Sequence, residues 1–196
     1  MSTRLKICGI TSLRDALDCA ELKVDFLGFN FFSGSPRYIS YEKANSIIRK
    51  LPSQTKSVGI LVRPKLKDVQ DIIDRSGVEL VQIMDPLDFE EFSQIPVPVI
   101  ITRRISRTVS DSYELNGAQW ILLDTYTKNE LGGSGKKFDW SIIPESIPRE
   151  RLVLAGGITP DNIGDALVQA SPAVIDVASG AEVSPGKKDL KTVKPL

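Results

Sequence analysis

A cysteine stands where a short apolar run meets a glycine, in Lys6-Ile7-Cys8-Gly9-Ile10-Thr11. A thiol at the point where a strand gives way to a loop can face a pocket, and once ionised it can accept a proton or act as a nucleophile. The chain contains no histidine, so the side chain that usually moves protons near neutral pH is missing. Cysteine and carboxylates are then the leading candidates for acid–base work. Asp124 is the natural counterpart, because it ends the run Trp120-Ile121-Leu122-Leu123 as a carboxylate raised on a hydrophobic strand. Each residue also has a plainer reading. Free cysteines commonly behave as small buried hydrophobes, and a strand-end aspartate often caps a helix or pins a loop.

A second signal points to an anion. Leu154-Ala155-Gly156-Gly157-Ile158 ends an apolar run with two glycines, which let a ligand approach bare backbone amides. Ala178-Ser179-Gly180 follows the next run with a turn of small residues. Loops of this kind after the last two strands of a barrel form a phosphate cradle, although glycines also serve tight turns alone. Gly132-Gly133-Ser134-Gly135-Lys136 lacks the spacing of a P-loop, which excludes a nucleotide triphosphatase on that ground.

The elements that must position these residues alternate between strand and helix. Eight β-type runs stand at 5–8, 24–29, 57–62, 80–84, 97–102, 119–123, 152–155 and 174–177. Between several of them lie amphipathic stretches: Thr11 or Ser12 caps a helix to about Glu21, and Ser40 caps one to about Lys50. Pro64-Lys65 opens another through Leu66, Val69, Ile72 and Ile73, and Thr159-Pro160-Asp161 is a cap with proline at the first helical position. Residues 127–137 read as a long loop, with a short helix around 140–143. Eight strand-then-helix units in 196 residues approach the minimum for a (β/α)8 barrel, and a doubly wound open sheet is the competing arrangement. In either, the site lies at the carboxyl ends of the strands. Lys6 shares strand parity with Cys8, so both point into a barrel, and a lysine there needs a carboxylate such as Asp176.

Composition narrows the class. Lys plus Arg and Asp plus Glu number 25 each, which gives no reason to expect nucleic acid or an anionic membrane as partner. No apolar run approaches a membrane span, and the opening Met1-Ser2-Thr3-Arg4 leads into a strand without a signal-peptide core. The two cysteines, Cys8 and Cys19, have no CxxC or histidine partner for zinc and read as reduced cytoplasmic thiols. One domain is expected.

With these residues in place, the chain resembles the phosphoribosylanthranilate isomerases. The resemblance rests on Lys6-Ile7-Cys8-Gly9-Ile10-Thr11, Ser35-Pro36-Arg37-Tyr38 and Leu122-Leu123-Asp124-Thr125. It extends to Gly132-Gly133-Ser134-Gly135 with Phe138-Asp139-Trp140, and to the glycine loops at 154–158 and 175–182. It implies a compact (β/α)8 TIM barrel of the ribulose-phosphate-binding type. It also implies a cofactor-free, metal-free isomerase whose partner is a small phosphorylated substrate in tryptophan biosynthesis.

Cys8 would be the general base and Asp124 the general acid. Arg37 would hold the anthranilate carboxylate, and Gly133, Gly156, Gly157, Asp176, Ser179 and Gly180 would bind substrate. Those roles require a raised pKa at Asp124 and a lowered one at Cys8. One departure stands out: Met84-Asp85 occupies the place where the family usually carries His-Gly. The alternatives are the related aminoaldose isomerase of histidine biosynthesis and a phosphosugar-binding barrel without turnover.

Overall fold

The computed structural model describes residues 2–84, 93–105, 115, 117–125, 138–194 and 196. The first half runs β1 (Arg4–Cys8), α1 (Leu13–Glu21), β2 (Phe26–Asn30), α2 (Tyr41–Ile48), β3 (Lys56–Val62), α3 (Leu66–Ser76) and β4 (Leu80–Met84). It continues with β5 (Val99–Ile105), β6 (Trp120–Thr125), β7 (Leu152–Leu154), α4 (Ile163–Ala170), β8 (Val174–Val177), β9 (Glu182–Ser184), β10 (Lys187–Lys188) and α5 (Leu190–Val193). Strands β1 to β8 pair in sequence order, all parallel, and β8 returns to β1. An open doubly wound sheet would leave two edge strands and reverse its order partway. Neither happens, so the barrel is the architecture.

Strands buried on both faces must be apolar nearly throughout. Every residue of β4 and β6 is buried. Outward side chains such as Ile7, Leu27, Val81 and Leu123 pack with Ala16 of α1, Ile47 of α2, Ile72 of α3 and Ala166 of α4. Inward ones, among them Phe26, Val58, Ile100, Leu122 and Val153, fill the barrel. Its amino end is closed by stacking. The Arg4 guanidinium lies 5.1 Å from the centre of the Phe26 ring and 5.2 Å from that of Trp120. Interior space is therefore left at the carboxyl end.

The helix starts follow local chemistry. Ser12 Oγ accepts from the Asp15 amide at 3.1 Å, and Ser40 Oγ accepts from the Lys43 amide at 3.3 Å. At α3 the Asp68 carboxylate accepts from the Lys65 amide, and Gly77 ends the helix in the left-handed region at φ 73°. Helix α4 starts later than the Thr159-Pro160 pattern suggests. The Asn162 side chain takes the Thr159 amide at 2.9 Å and donates to the Gly157 carbonyl at 2.8 Å, so the preceding turn belongs to the β7 loop. Between β6 and β7 the described residues hold only 3-10 turns, at Trp140–Ile142 and Arg149–Arg151, instead of a full helix. The expected loop at 127–137 lies outside the described residues.

After β8 the chain adds a short antiparallel ribbon, β9–β10. It is tied to the start of α1 by Thr11 Oγ1 on the Gly186 carbonyl at 2.6 Å and by the Lys188 amide on Asp15 at 3.3 Å.

Leu27 is fully buried between β2 and the helix layer. Leu27→Ala is expected to lower unfolding free energy by about 2–5 kcal/mol, measured by urea denaturation. An unchanged midpoint would mean that this layer does not carry the fold.

Candidate active site

A cavity of about 410 Å³ opens at the carboxyl end of the barrel, and Cys8, Arg37, Asp124, Gly156, Gly157, Asp176 and Ser179 all line it. Seven of the nine site residues expected from the sequence thus share one space. Gly180 sits behind the wall: a Cβ there would fall 2.0 Å from the Ile158 carbonyl oxygen, so its bareness lets the β7 and β8 loops touch. Gly133 lies outside the described residues. Gly156 has φ +90°, and a Cβ on it would meet Thr125 Oγ1 at 2.4 Å and Asp124 Oδ1 at 2.9 Å. Both its conformation and its close approach to the carboxylate therefore require glycine.

Beneath the cavity floor Lys6 is fully buried, and its Nζ meets Asp176 Oδ2 at 2.9 Å. The two residues are register partners across the β1–β8 seam. Burial alone pulls the lysine pKa down, but Asp176 and Cys8 more than offset this and leave it raised. The other oxygen of Asp176, Oδ1, is buried with no hydrogen-bond partner among the described residues.

The two candidate proton carriers are tuned unequally. Burial raises the Asp124 pKa to about 6, helped by the nearby Asp176 charge and opposed by the Thr125 amide, which donates to Oδ1 at 2.7 Å, and by Arg104 and Lys6. The acid role needs that direction. Cys8 departs from expectation, because its pKa is raised instead of lowered. Burial outweighs the pull of Lys6, Lys188 and Arg37, and Asp176 adds to the rise. Cys19, by contrast, is sealed at 0% exposure between α1 and the barrel, where burial pushes it up to about 11. Its role is packing.

Two further charged residues, neither of them among the expected site residues, stand beside the site. Arg37 donates through Nε to both Glu182 oxygens, each at 3.1 Å, and through Nη2 to Oε2 at 2.8 Å. Lys188 Nζ donates to Glu182 Oε1 at 2.7 Å and also to the Cys8 carbonyl. Glu182 closes one quoted motif, but Lys188 sits in Gly186-Lys187-Lys188-Asp189, which looks like a solvated turn. Gln82 was likewise unsuspected. It lines the cavity, its Nε2 donates to Thr102 at 3.2 Å, and its Oε1 has no partner among the described residues. Met84, at the family's usual histidine position, puts a buried thioether on the cavity wall beside Val62 and Ile60. Its neighbour Asp85 lies outside the described residues.

The family model described as N-(5'-phosphoribosyl)anthranilate (PRA) isomerase matches residues 5–196. A protein of that name from Citrifermentans bemidjiense is 38% identical over 205 residues, spanning 99% of this chain and 95% of that protein. The crystal structure of phosphoribosyl anthranilate isomerase from Thermus thermophilus superposes with a TM-score of 0.88 at 28% identity, covering 98% of this chain and 96% of that one. A crystal structure of the isomerase in complex with reduced 1-(o-carboxyphenylamino)-1-deoxyribulose 5-phosphate superposes at 0.81 with 34% identity, over 99% and 96% of the two chains. A barrel of this topology, with these residues around its mouth and a full-length match, leaves one assignment: the chain belongs to the phosphoribosylanthranilate isomerase family.

Proposed function

We propose that this chain converts N-(5-phosphoribosyl)anthranilate to 1-(o-carboxyphenylamino)-1-deoxyribulose 5-phosphate. This is an Amadori rearrangement of tryptophan biosynthesis, run in the cytoplasm on one barrel domain by acid–base catalysis without a cofactor. The observation that carries the reading is the pairing of a carboxyl of raised pKa, Asp124, with the thiol of Cys8 on one cavity. A bare-backbone rim at Gly156 and Gly157 borders the same space.

In this reading Asp124 protonates the furanose ring oxygen, and the C–O bond breaks as the nitrogen lone pair forms the Schiff base. The Cys8 thiolate then takes the C2 proton, and the resulting enolamine tautomerises to the ketose. Arg37 takes the anthranilate carboxylate, a planar anion that suits a guanidinium fork. Phe32, Val62 and Met84 supply an apolar wall for the ring. The phosphate lies against Gly156, Gly157 and Ser179, where bare Gly180 lets the two loops touch; Gly133 is a further substrate-binding residue in this reading, and Asp176 contacts the sugar through Oδ1, which has no partner among the described residues.

The pKa directions impose a protonation pattern. An acid near 6 beside a thiol above its ordinary range means the working form, acid protonated and thiol ionised, is the minor tautomer of the singly protonated pair. Bound anionic substrate shifts the acid further toward protonation.

Fluorescence decay of phosphoribosylanthranilate tests the assignment. Cys8→Ser and Asp124→Asn are each expected to lower kcat by about 10²–10⁴-fold. Wild-type turnover no better than either variant would sink it. For the wild type, kcat/KM is expected to rise as pH passes through about 6 and to fall only where the thiol ionises. Part of the rising limb belongs to Asp124 and is lost in Asp124→Asn, whereas titration of the substrate phosphate persists there.

Stability carries a second signature. Ionised Asp124 is disfavoured in the folded state, so the contribution of Asp124 to wild-type stability falls as pH rises from 3.8 through about 6. Above that window Asp124→Asn is expected to be the more stable protein by on the order of 3 kcal/mol, with the gap closing near pH 4. Thermal melts at the two ends of the range read the difference, and a constant gap would contradict the raised pKa.

A further inference from the structure

Three buried charged side chains from distant parts of the chain converge behind one wall of the cavity. Arg37 follows β2, Glu182 opens β9 and Lys188 lies on β10. The side chain of Glu182 is 2% exposed and that of Lys188 is 0% exposed, and of the three only Arg37 lines the cavity. A buried ion pair seldom adds net stability over apolar residues of similar size, so stability alone does not explain the cluster.

Its geometry offers another reason. Two-pronged donation from Nε and Nη2 fixes the plane of the Arg37 guanidinium, as a single contact would not. Lys188 supplies a second cation to the Glu182 carboxylate, with both side chains withdrawn from water. An independent feature serves the same end. Gly9 has φ +85°, and a Cβ there would fall 2.5 Å from Arg37 Cδ, so the arginine stem crosses the backbone just beyond Cys8 through a gap only glycine leaves.

We propose that Glu182 is a positioning residue for the isomerisation, holding the Arg37 guanidinium in the orientation that receives the carboxylate of the substrate's aminobenzoate. The proposal rests on the reading of Arg37 given above. Glu182 touches no substrate atom and acts through Arg37. Its effect is therefore specific to substrates that carry the carboxylate.

The test compares phosphoribosylanthranilate with the analogue made from ribose 5-phosphate and aniline, which lacks only the carboxylate, with phosphoketose formation as readout. The wild type is expected to prefer the natural substrate in kcat/KM by about tenfold to a hundredfold, the range of a charge-assisted contact. Glu182→Gln is expected to lose most of that preference through KM, with kcat within about threefold of wild type, and to match the wild type within about threefold on the aniline analogue. Equal losses on both substrates, or no loss on either, would overturn the proposal.

Arg37→Met separates the two layers. If it keeps the carboxylate preference, the reading of Arg37 fails. If it loses the preference while Glu182→Gln keeps it, only the positioning role fails. Should Glu182→Gln not fold, Glu182→Asp keeps the charge and withdraws it by one methylene. It is expected to show the same selective loss in weaker form, and an undiminished preference there overturns the proposal.

Discussion

Inside the barrel the Lys6 ammonium meets the Asp176 carboxylate at 2.9 Å, across the seam where β8 closes on β1. Both groups are withdrawn from water, so either one alone would be strongly disfavoured there. The pair thus ties barrel closure to a fixed register, since a shift of one residue would turn Lys6 out toward the helices. The same register brings Cys8 to the rim two residues further along β1 and Asp124 to the rim on β6. It also sets the field at the site. The lysine draws the thiol toward ionisation, while the aspartate resists ionisation of both the thiol and Asp124.

That field explains how a chain without histidine can run proton chemistry. Burial lifts a carboxyl into the range histidine normally occupies, and glycine at 156 lets backbone crowd against it. The thiol stays mostly protonated in the free protein, held up by burial despite three nearby cations. Both groups are thus held toward their protonated forms by burial. A second ionic assembly, Arg37 with Glu182 and Lys188, reaches the Cys8 backbone through the Lys188 contact with its carbonyl.

Much of the site was legible because strand ends can be read from strand cores. Cys8, Asp124 and Asp176 lie on or end short apolar runs, and in a parallel barrel all such ends face one rim. Strand parity alone foretold that Lys6 would be internal and would need an acid, with Asp176 among the candidates. Other features were not legible. Asn162 delays α4 by folding its amide onto Thr159 and Gly157, a choice that propensity does not contain. The thiol's direction of shift depends on how completely the fold covers it. Lys188 lies in a Gly-Lys-Lys-Asp turn whose pattern reads as solvated until the β9–β10 ribbon folds back over α1.

By itself the sequence narrowed the fold to a parallel α/β arrangement, marked the rim where strand-end residues gather, and picked out Cys8, Asp124 and the glycine loops as candidates. It did so because these depend on local alternation, strand length and the residue at each strand end. Only the tertiary structure decided the pairing of Glu182 with Arg37, the placement of Gly180 behind the cavity, and the pKa directions. Those properties come from groups on different strands and loops and from water excluded when they meet, as in the 145-residue separation of Arg37 and Glu182. The opening cysteine shows the division. Its position was written in the local pattern, and its charge state was set by everything that closes around it.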